Sequence, residues 1–164
     1  MIVAIHQPQY LPWLGYFHKM HQADAFVFLD TVQFKKNEYQ NRNRIKGPQG
    51  PQWLTVPVLQ RLGQDIRDVR INTTVNWQKK HIAALGSCYG RAPHYGAYRD
   101  ALQDLLDRPW ELLSPLNIEV TKLIASSLGI DTQLYLASEM DGVSDDRDRR
   151  LIEITQLSLI HISE

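Results

Sequence analysis

A histidine follows directly after the first apolar run of the chain. His6 comes after residues 2–5, and Pro8 and Pro12 interrupt regular structure before a predicted helix that begins at Trp13. Ligands of open parallel sheets bind beyond the carboxyl ends of the strands, where an imidazole could act as acid, base or phosphate donor. The alternative is that the prolines shape a buried turn and that His6 is a core imidazole with its hydrogen bonds satisfied.

The predicted helix over residues 13–22 adds further groups beside this loop. Gly15 permits close approach of the backbone to a ligand, and Lys19 could neutralise phosphate charge if it faces the loop. His18 lies next to Lys19, well inside the helix. Because the first amides of a helix favour anions, the loop and the helix together suit a phosphate-bearing ligand.

An aspartate ends the second apolar run, which covers residues 26–30. Asp30 and the nearby Gln33 would open onto the same sheet edge as His6 if the two strands are parallel. Asp30 could bind a sugar hydroxyl, hold a metal ion through water, or orient His6. The alternative is an aspartate that caps a turn.

Amide side chains and cations dominate residues 37–46. Asn41, Arg42 and Asn43 lie at the centre of this segment, and amides and guanidinium groups suit sugar hydroxyls and phosphate oxygens. A solvated loop is the alternative interpretation, and the sequence does not decide between the two.

Cys88 and His81 lie on one predicted helix and invite a nucleophile-and-base interpretation. Seven positions along a helix separate two residues by roughly 10 Å, which is too far for a direct pair. Cys88 is therefore expected to be a small buried apolar residue. No metal-ligand spacing, Walker loop or GxGxxG motif occurs, so no metal site is predicted and the cofactor is unknown.

The elements that must position these residues form an α/β pattern. Strands over 2–5 and 26–30 flank the helix over 13–22, which predicts a parallel βαβ unit. Residues 35–52 are predicted to form a loop or a hairpin tip. Further strands are expected over 53–58 and 66–71, and helices over 77–89, 95–106 and 112–128. We therefore expect a mixed, largely parallel sheet with a Rossmann-like βαβ start and a helical C-terminal half.

Composition narrows the class of protein. Lysine plus arginine and aspartate plus glutamate both number 18, so the formal net charge is zero and no nucleic-acid partner is expected. The single cysteine suits a reducing compartment, and no apolar run approaches the roughly 20 residues that span a bilayer. With no basic leader before the first apolar run, the expectation is a cytoplasmic protein without membrane insertion.

The last eight residues, 157–164, spell LSLIHISE. A common transposon-end sequencing adapter encodes this string when it is translated in frame. We therefore expect residues 157–164 to be a non-native tail. Residues 1–156 then form a single domain, and the helical pattern over 146–156 would be cut short.

The chain resembles the WbqC-like family in five blocks of sequence: IHQPQYLPWLGYFHK, FVFLDTVQF, NEYQNRNRIK, QWLTVPV and WQKKHIAALGSCYGRAPHYGAY. The resemblance covers residues 1–156 and implies a domain that continues further in other members. Members occur among genes for O-antigen and other surface polysaccharides. The resemblance thus implies an enzyme that acts on a nucleotide-linked or amino sugar, with acyl or aminoacyl transfer as one reaction.

The resemblance also implies roles for individual residues. Catalytic roles would fall to His6, His18 and Asp30. Substrate binding would fall to Gln7, Tyr10, Trp13, Gly15, Lys19, Gln33, Asn41, Arg42 and Asn43. The expected partner is a small sugar or nucleotide sugar, and the oligomeric state stays open.

Two other functions remain as alternatives. A nucleotidyl-transferase-like enzyme would fit the order of strand, histidine-containing loop, helix and strand. Its usual HxGH motif is absent, because Tyr16 and Phe17 separate Gly15 from His18. A non-catalytic binding protein of the same pathway is the second alternative.

Overall fold

The computed structural model describes residues 2–161, apart from the side chains at positions 147 and 158–161. Its elements, in chain order, are β1 (Val3–His6), α1 (Leu14–His21), β2 (Ala25–Phe28), β3 (Arg42–Gly47), β4 (Gly50–Thr55), β5 (Val58–Leu59), β6 (Arg70–Ile71), α2 (Trp77–Tyr89), α3 (Tyr95–Leu106), α4 (Leu113–Ser127), β7 (Gln133–Leu136) and α5 (Arg147–His161). Short 3-10 turns cover Ile66–Asp68 and Ala137–Glu139.

A three-stranded parallel sheet with the order β1-β2-β7 organises the fold. All four residues of β2 are buried, because this central strand is covered on both faces. Phe26 and Phe28 pack on one face with apolar residues of α1 and α4. Val27 packs on the other face with Ile154 of α5.

The structure confirms the mixed α/β class and a parallel β1-α1-β2 start. The parallel sheet is small, however, and three strands do not by themselves make a Rossmann-like sheet. Among residues 2–161, β1 lies at the edge and β2 lies at the centre. The carboxyl ends of β1, β2 and β7 still meet at one edge, where His6, Phe28 and Leu136 share one row of the register.

The segment expected to be a loop or hairpin tip is largely an antiparallel hairpin. β3 and β4 pair from Arg42 and Thr55 up to the tip at Gly47 and Gly50. Gly50 has a φ of 121°, a backbone conformation that favours glycine. Although most residues of this segment are polar, the alternation of side chains along the two strands points Ile45 and Leu54 inward. Both pack in the largest cluster of buried apolar residues among those described.

Two strand predictions were wrong in their bounds. The strand predicted over 53–58 is interrupted after Thr55, because Pro57 has no N–H to donate to a ladder. The strand predicted over 66–71 contains a 3-10 turn and only two residues of β6. Ile66 and Val69 are both fully buried, and a spacing of three matches the 3-10 period rather than a strand.

The helical predictions agree closely with α2, α3 and α4. Gly129, with a φ of 69°, follows the end of α4 and leads toward β7, a strand that the sequence pattern does not predict. Residues 157–161 continue α5, and residues 162–164 of the expected non-native tail lie outside the described residues. Among residues 2–161, no helix is long and apolar enough to cross a membrane.

Candidate functional site

A cavity of about 450 Å³, which we call the sheet-edge cavity, lies between α4 and β7 and reaches the residues that follow β2 and β7. Its floor is apolar, with Ile118 of α4 and Leu134 and Leu136 of β7. Charged and hydroxyl groups complete the lining: Asp30, Arg67, Ser114, Glu119, Lys122, Ser138 and Glu139. The end of the cavity at Asp30 and Ser138 lies where open parallel sheets bind ligands, and the volume suits a small molecule.

Asp30 lies in the wall of this cavity and is only 2% exposed. Its Oδ1 accepts a hydrogen bond from the backbone N–H of Ser138 at 3.0 Å, and its Oδ2 accepts one from Ser138 Oγ at 2.7 Å. Its backbone carbonyl accepts the N–H of Arg67 at 3.0 Å. Asp30 therefore connects the end of β2 to the 3-10 turn after β7 and fixes the mouth of the cavity.

Ser114 brings the first turn of α4 to the same cavity. It is 2% exposed, and its Oγ has no hydrogen-bond partner among the described residues. The neighbouring N–H of Leu113 is bound to the carbonyl of Val69 at 2.9 Å, and Pro115 has none. Ser114 is the second residue of α4, so the helix supplies no partner for its backbone N–H. Both this N–H and the side-chain hydroxyl are therefore available to a ligand.

The charges of the cavity lining are unequal, with three carboxylates and two cations. The cations are already paired: Lys122 lies 2.8 Å from Glu119, and Arg67 lies 3.5 Å from Asp65 outside the cavity. The lining thus favours a ligand that donates hydrogen bonds or carries an amine over one with several negative charges. Among the described residues, no group of three or more His, Cys, Asp or Glu could hold a metal ion.

His6 lies half-buried at the end of β1. Its Nδ1 is 3.1 Å from the carbonyl oxygen of Gln7, and its ring meets Tyr16 edge-on with centroids 4.7 Å apart. Burial lowers the pKa of His6, and the nearby Lys19 charge lowers it further. The imidazole is therefore neutral at pH 7, and a proton on Nδ1 leaves Nε2 free to accept one.

Lys19 reaches from α1 to the end of β1. Its Nζ donates a hydrogen bond to the carbonyl of Ile5 at 2.7 Å, and partial burial lowers its pKa. His18 is also exposed on α1, but no hydrogen bond is found between its side chain and the described residues of β1. Of the two α1 residues, the structure therefore brings only Lys19 to the end of β1.

His6 and the cavity share one edge of the sheet, but His6 does not line the cavity. Phe28 lies between His6 and Leu136 in the register of the three strands. Two strand spacings correspond to roughly 10 Å. A ligand in the cavity must extend along the edge to contact His6.

The loop after β1 is held by buried amides. Gln40 donates a hydrogen bond to Gln7 Oε1 at 2.7 Å. Asn117 of α4 is fully buried and donates to the carbonyls of Gln40 at 2.7 Å and Pro8 at 3.4 Å. Gln7 is thus engaged within the protein, and α4 positions the loop.

The other predicted residues of this region are Tyr10, Trp13 and Gly15. Tyr10 is fully buried, and its hydroxyl lies 2.8 Å from Nδ1 of His81. Trp13 is 64% exposed, and its indole lies directly over Gly15. A side chain at Gly15 would clash with this indole, so the glycine allows Trp13 to fold back on α1.

The amides of Asn41 and Asn43 bind backbone groups. Asn41 donates to the carbonyl of Val56 at 3.1 Å and accepts the N–H of Asn37 at 3.1 Å. Asn43 donates to the carbonyl of Leu11 at 2.6 Å. Leu11 has a φ of 47°, so this bond holds a strained turn of the loop.

Gln33 and Arg42 lie away from the cavity lining. Gln33 is exposed and forms an isolated β-bridge with Asp65. Arg42 lies on the hairpin, with its Cζ 4.2 Å from the ring centroid of Trp53. The structure therefore gathers Asp30 at the cavity and His6, Gln7 and Lys19 at the end of β1, while Arg42 belongs to the hairpin.

Sequence reasoning missed Ser114 and Ser138, and it did not connect His81 with Tyr10. A serine next to a proline at a predicted helix start was the available signal for Ser114. Ser138 carried no such signal, because its partner Asp30 is 108 positions away. Cys88, which was expected to be a small buried apolar residue, is only half-buried and packs against apolar residues of the core.

A mixed α/β fold with a ligand-sized cavity at the edge of a small parallel sheet defines the class of this protein. The chain belongs to the WbqC-like protein family, whose sequence model matches residues 7–159. It is 39% identical over 157 residues to "Uncharacterized protein Rv1507c" of Mycobacterium tuberculosis (strain ATCC 25618 / H37Rv). That alignment covers 94% of this chain and 67% of the relative. No solved structure matches the chain.

Proposed function

We propose that this protein is a cytoplasmic transferase that acts on a nucleotide-linked or amino sugar in surface-polysaccharide assembly. The observation that carries the proposal is the sheet-edge cavity, which combines an apolar floor with hydroxyl groups and an excess of carboxylates. A sugar ring presents C–H groups to such a floor and hydroxyls to such a rim. An ammonium group on the ring would balance the unpaired carboxylate charge.

Within this proposal, the carboxylates of Asp30 and Glu139 bind the sugar. Asp30 is held in one orientation by Ser138, so its binding geometry does not need to be ordered when the ligand arrives. Ser114 supplies the unpartnered hydroxyl on the opposite element, α4. These three groups come from different parts of the chain and converge on one cavity.

Asp30 is the general base of the proposed reaction, and His6 contacts the nucleotide end of the ligand. The sugar ammonium must lose a proton before its nitrogen can attack an acyl carbon, and the Asp30 carboxylate in the same cavity can accept that proton. The proton then passes to the leaving group, which regenerates the carboxylate, and the nitrogen releases a second proton to water as the amide forms. A nucleotide-linked sugar is long enough to bridge the roughly 10 Å between the cavity and His6.

Calorimetric titration with matched ligands tests this proposal. UDP-glucosamine and UDP-glucose differ only at one carbon, which carries an amine or a hydroxyl, and UDP alone reports binding through the nucleotide. We expect UDP-glucosamine to bind most tightly, because only its amine meets the carboxylates. Glu139→Gln should reduce the preference for the amino sugar by roughly tenfold, which corresponds to about 1.4 kcal/mol.

Asp104→Asn is the matched control, because it removes an exposed carboxylate of α3 outside the cavity. It should leave the preference unchanged. Equal affinity for all three ligands would mean that the sugar makes no contact, and the proposal would fail. His6→Ala should weaken the binding of UDP and of UDP-glucosamine by the same factor, since His6 does not line the cavity that holds the sugar. Asp30→Asn should abolish acyl transfer to the amine of UDP-glucosamine.

A further inference from the structure

The outward face of the β3–β4 hairpin carries three cations around one aromatic ring. Strand alternation points Asn43 and Ile45 inward, so Arg42, Arg44 and Lys46 lie on the other side of β3. Trp53 of β4 stands opposite Arg44 in the register and is 43% exposed. We refer to Arg42, Arg44, Lys46 and Trp53 as the basic hairpin face.

Trp53 orients the two arginines of this face. The Cζ atom of Arg42 lies 4.2 Å and that of Arg44 lies 5.2 Å from the ring centroid of Trp53. Such cation–π contacts hold the guanidinium planes while their N–H groups stay available at the edges. A ligand that binds both arginines therefore loses less side-chain entropy than it would with free side chains.

The positive charge of the basic hairpin face is not compensated within the described part of the chain. Arg42, Arg44 and Lys46 form no ion pair with a described carboxylate, in contrast to Arg67, which has two. The Nε of Arg42 is buried and has no acceptor among the described residues. In a chain whose formal net charge is zero, this cluster is a local positive field.

A cavity of about 640 Å³ adjoins the tip of the hairpin and extends the same field. Lys46 and Arg91 are the charged residues of its lining, and no carboxylate belongs to it. Ser87 adds a hydroxyl, and Tyr89 accepts the backbone N–H of Lys46 at 2.9 Å, which fixes the hairpin against α2. The charged lining of this cavity is therefore wholly cationic, unlike that of the sheet-edge cavity.

We propose that the basic hairpin face binds the diphosphate group of a phosphate-bearing ligand. Successive outward residues of a strand are roughly 7 Å apart, so two neighbouring cations can straddle two linked phosphoryl groups. Each guanidinium fork can bind phosphate oxygens in a bidentate manner, and Lys46 adds a point charge. The site shares no lining residue with the sheet-edge cavity, so it does not depend on the sugar-binding proposal.

Inorganic pyrophosphate is the probe that tests this site, titrated into the chain by calorimetry without added metal. We expect saturable binding that weakens as the salt concentration rises, because exposed charges are screened. Arg44→Glu and Lys46→Glu should each weaken binding by at least about tenfold. Arg61→Glu, which makes the same charge change at an exposed loop position, should leave the affinity within about twofold.

Far-ultraviolet circular dichroism establishes that each variant folds, and Arg44→Gln and Lys46→Gln replace any glutamate variant that does not.

Two further ligands distinguish the source of the diphosphate. Binding of UDP that Arg44→Glu weakens points to a soluble nucleotide. Sedimentation with phosphatidylcholine vesicles that contain a prenyl diphosphate, weakened by the same substitution, points to a lipid. Either result supports the site, and binding that Arg44→Glu leaves unchanged contradicts it. The proposal is overturned if pyrophosphate does not bind, if its affinity is the same in the Arg44 and Lys46 variants, or if only a long polyanion such as heparin binds.

Discussion

The hydroxyl of Tyr10 lies 2.8 Å from Nδ1 of His81, joining two buried side chains that are 71 positions apart in the chain. His81 also hydrogen-bonds the backbone of Thr55, so its ring connects the loop after β1, the hairpin strand β4 and α2. Burial lowers the pKa of His81 to about 4 and raises that of Tyr10. The imidazole is therefore neutral at pH 7, and its Nδ1 accepts the tyrosine hydroxyl.

Tyr10→Phe should destabilise the protein by about 1–3 kcal/mol, because it leaves a buried imidazole nitrogen without a donor. Urea denaturation followed by circular dichroism measures the change in the free energy of unfolding. Tyr98→Phe is the control, because Tyr98 is 50% exposed and should change stability by less than about 0.5 kcal/mol. Equal stability of the two variants would show that the bond contributes nothing beyond the packing of the ring.

The free energy of unfolding should fall as the pH is lowered from 6.5 toward 4. The pKa of His81 is near 6.5 in the unfolded chain and about 4 in the folded protein. Above pH 6.5 the imidazole is neutral in both states, so it does not lower the free energy of unfolding there. Below that value the unfolded chain binds a proton that the folded chain excludes, which costs about 2 kcal/mol by pH 5. The lowered pKa of His6 acts in the same direction.

Urea denaturation at pH 7.5 and pH 5 measures this dependence. His81→Gln should reduce the difference between the two values, because glutamine does not titrate. His94→Gln replaces an exposed histidine and should retain the full difference. A dependence that is the same in both variants would exclude His81 as its cause.

The helices were predictable because their signal is local. Trp77, His81 and Leu85 recur at helical spacing, and the structure buries all three on one side of α2. β7 carries no comparable signal, since it has only four residues and is stabilised by pairing with β2 more than a hundred positions earlier. The hairpin was obscured by its polar residues, because Asn43 points inward to bind the backbone of Leu11.

Part of the candidate site followed from the rule that ligands bind at strand ends. His6 and Asp30 were singled out for this reason, and both lie at the carboxyl edge of the parallel sheet. Ser138 and Asn117 could not be found in this way. Their importance arises from hydrogen bonds to Asp30 and Pro8 across 108 and 109 positions, and no spacing within one element encodes such contacts.

Ser138→Ala should lower the free energy of unfolding by about 1.5–3 kcal/mol, because it removes a hydrogen bond of 2.7 Å to the buried Asp30 carboxylate. The backbone N–H of Ser138 still binds Oδ1, so the 3-10 turn should remain in place. Thermal and urea denaturation measure the loss. Ser127→Ala, which removes an exposed hydroxyl of α4, is the control, and a similar small loss in both variants would contradict a special role for Ser138.

Asn117→Asp hardly changes the shape of the side chain, yet we expect it to be strongly destabilising. The amide donates to the carbonyls of Gln40 and Pro8, and a carboxylate at this fully buried position would face both oxygens with no donor. We expect a loss of more than about 3 kcal/mol, measured by urea denaturation. Asn76→Asp is the matched control, because Asn76 is exposed at the N-cap of α2, where a negative charge is favourable. If both variants were equally stable, Asn117 would not hold the loop after β1, and the orientation of Gln7 beside His6 would need another cause.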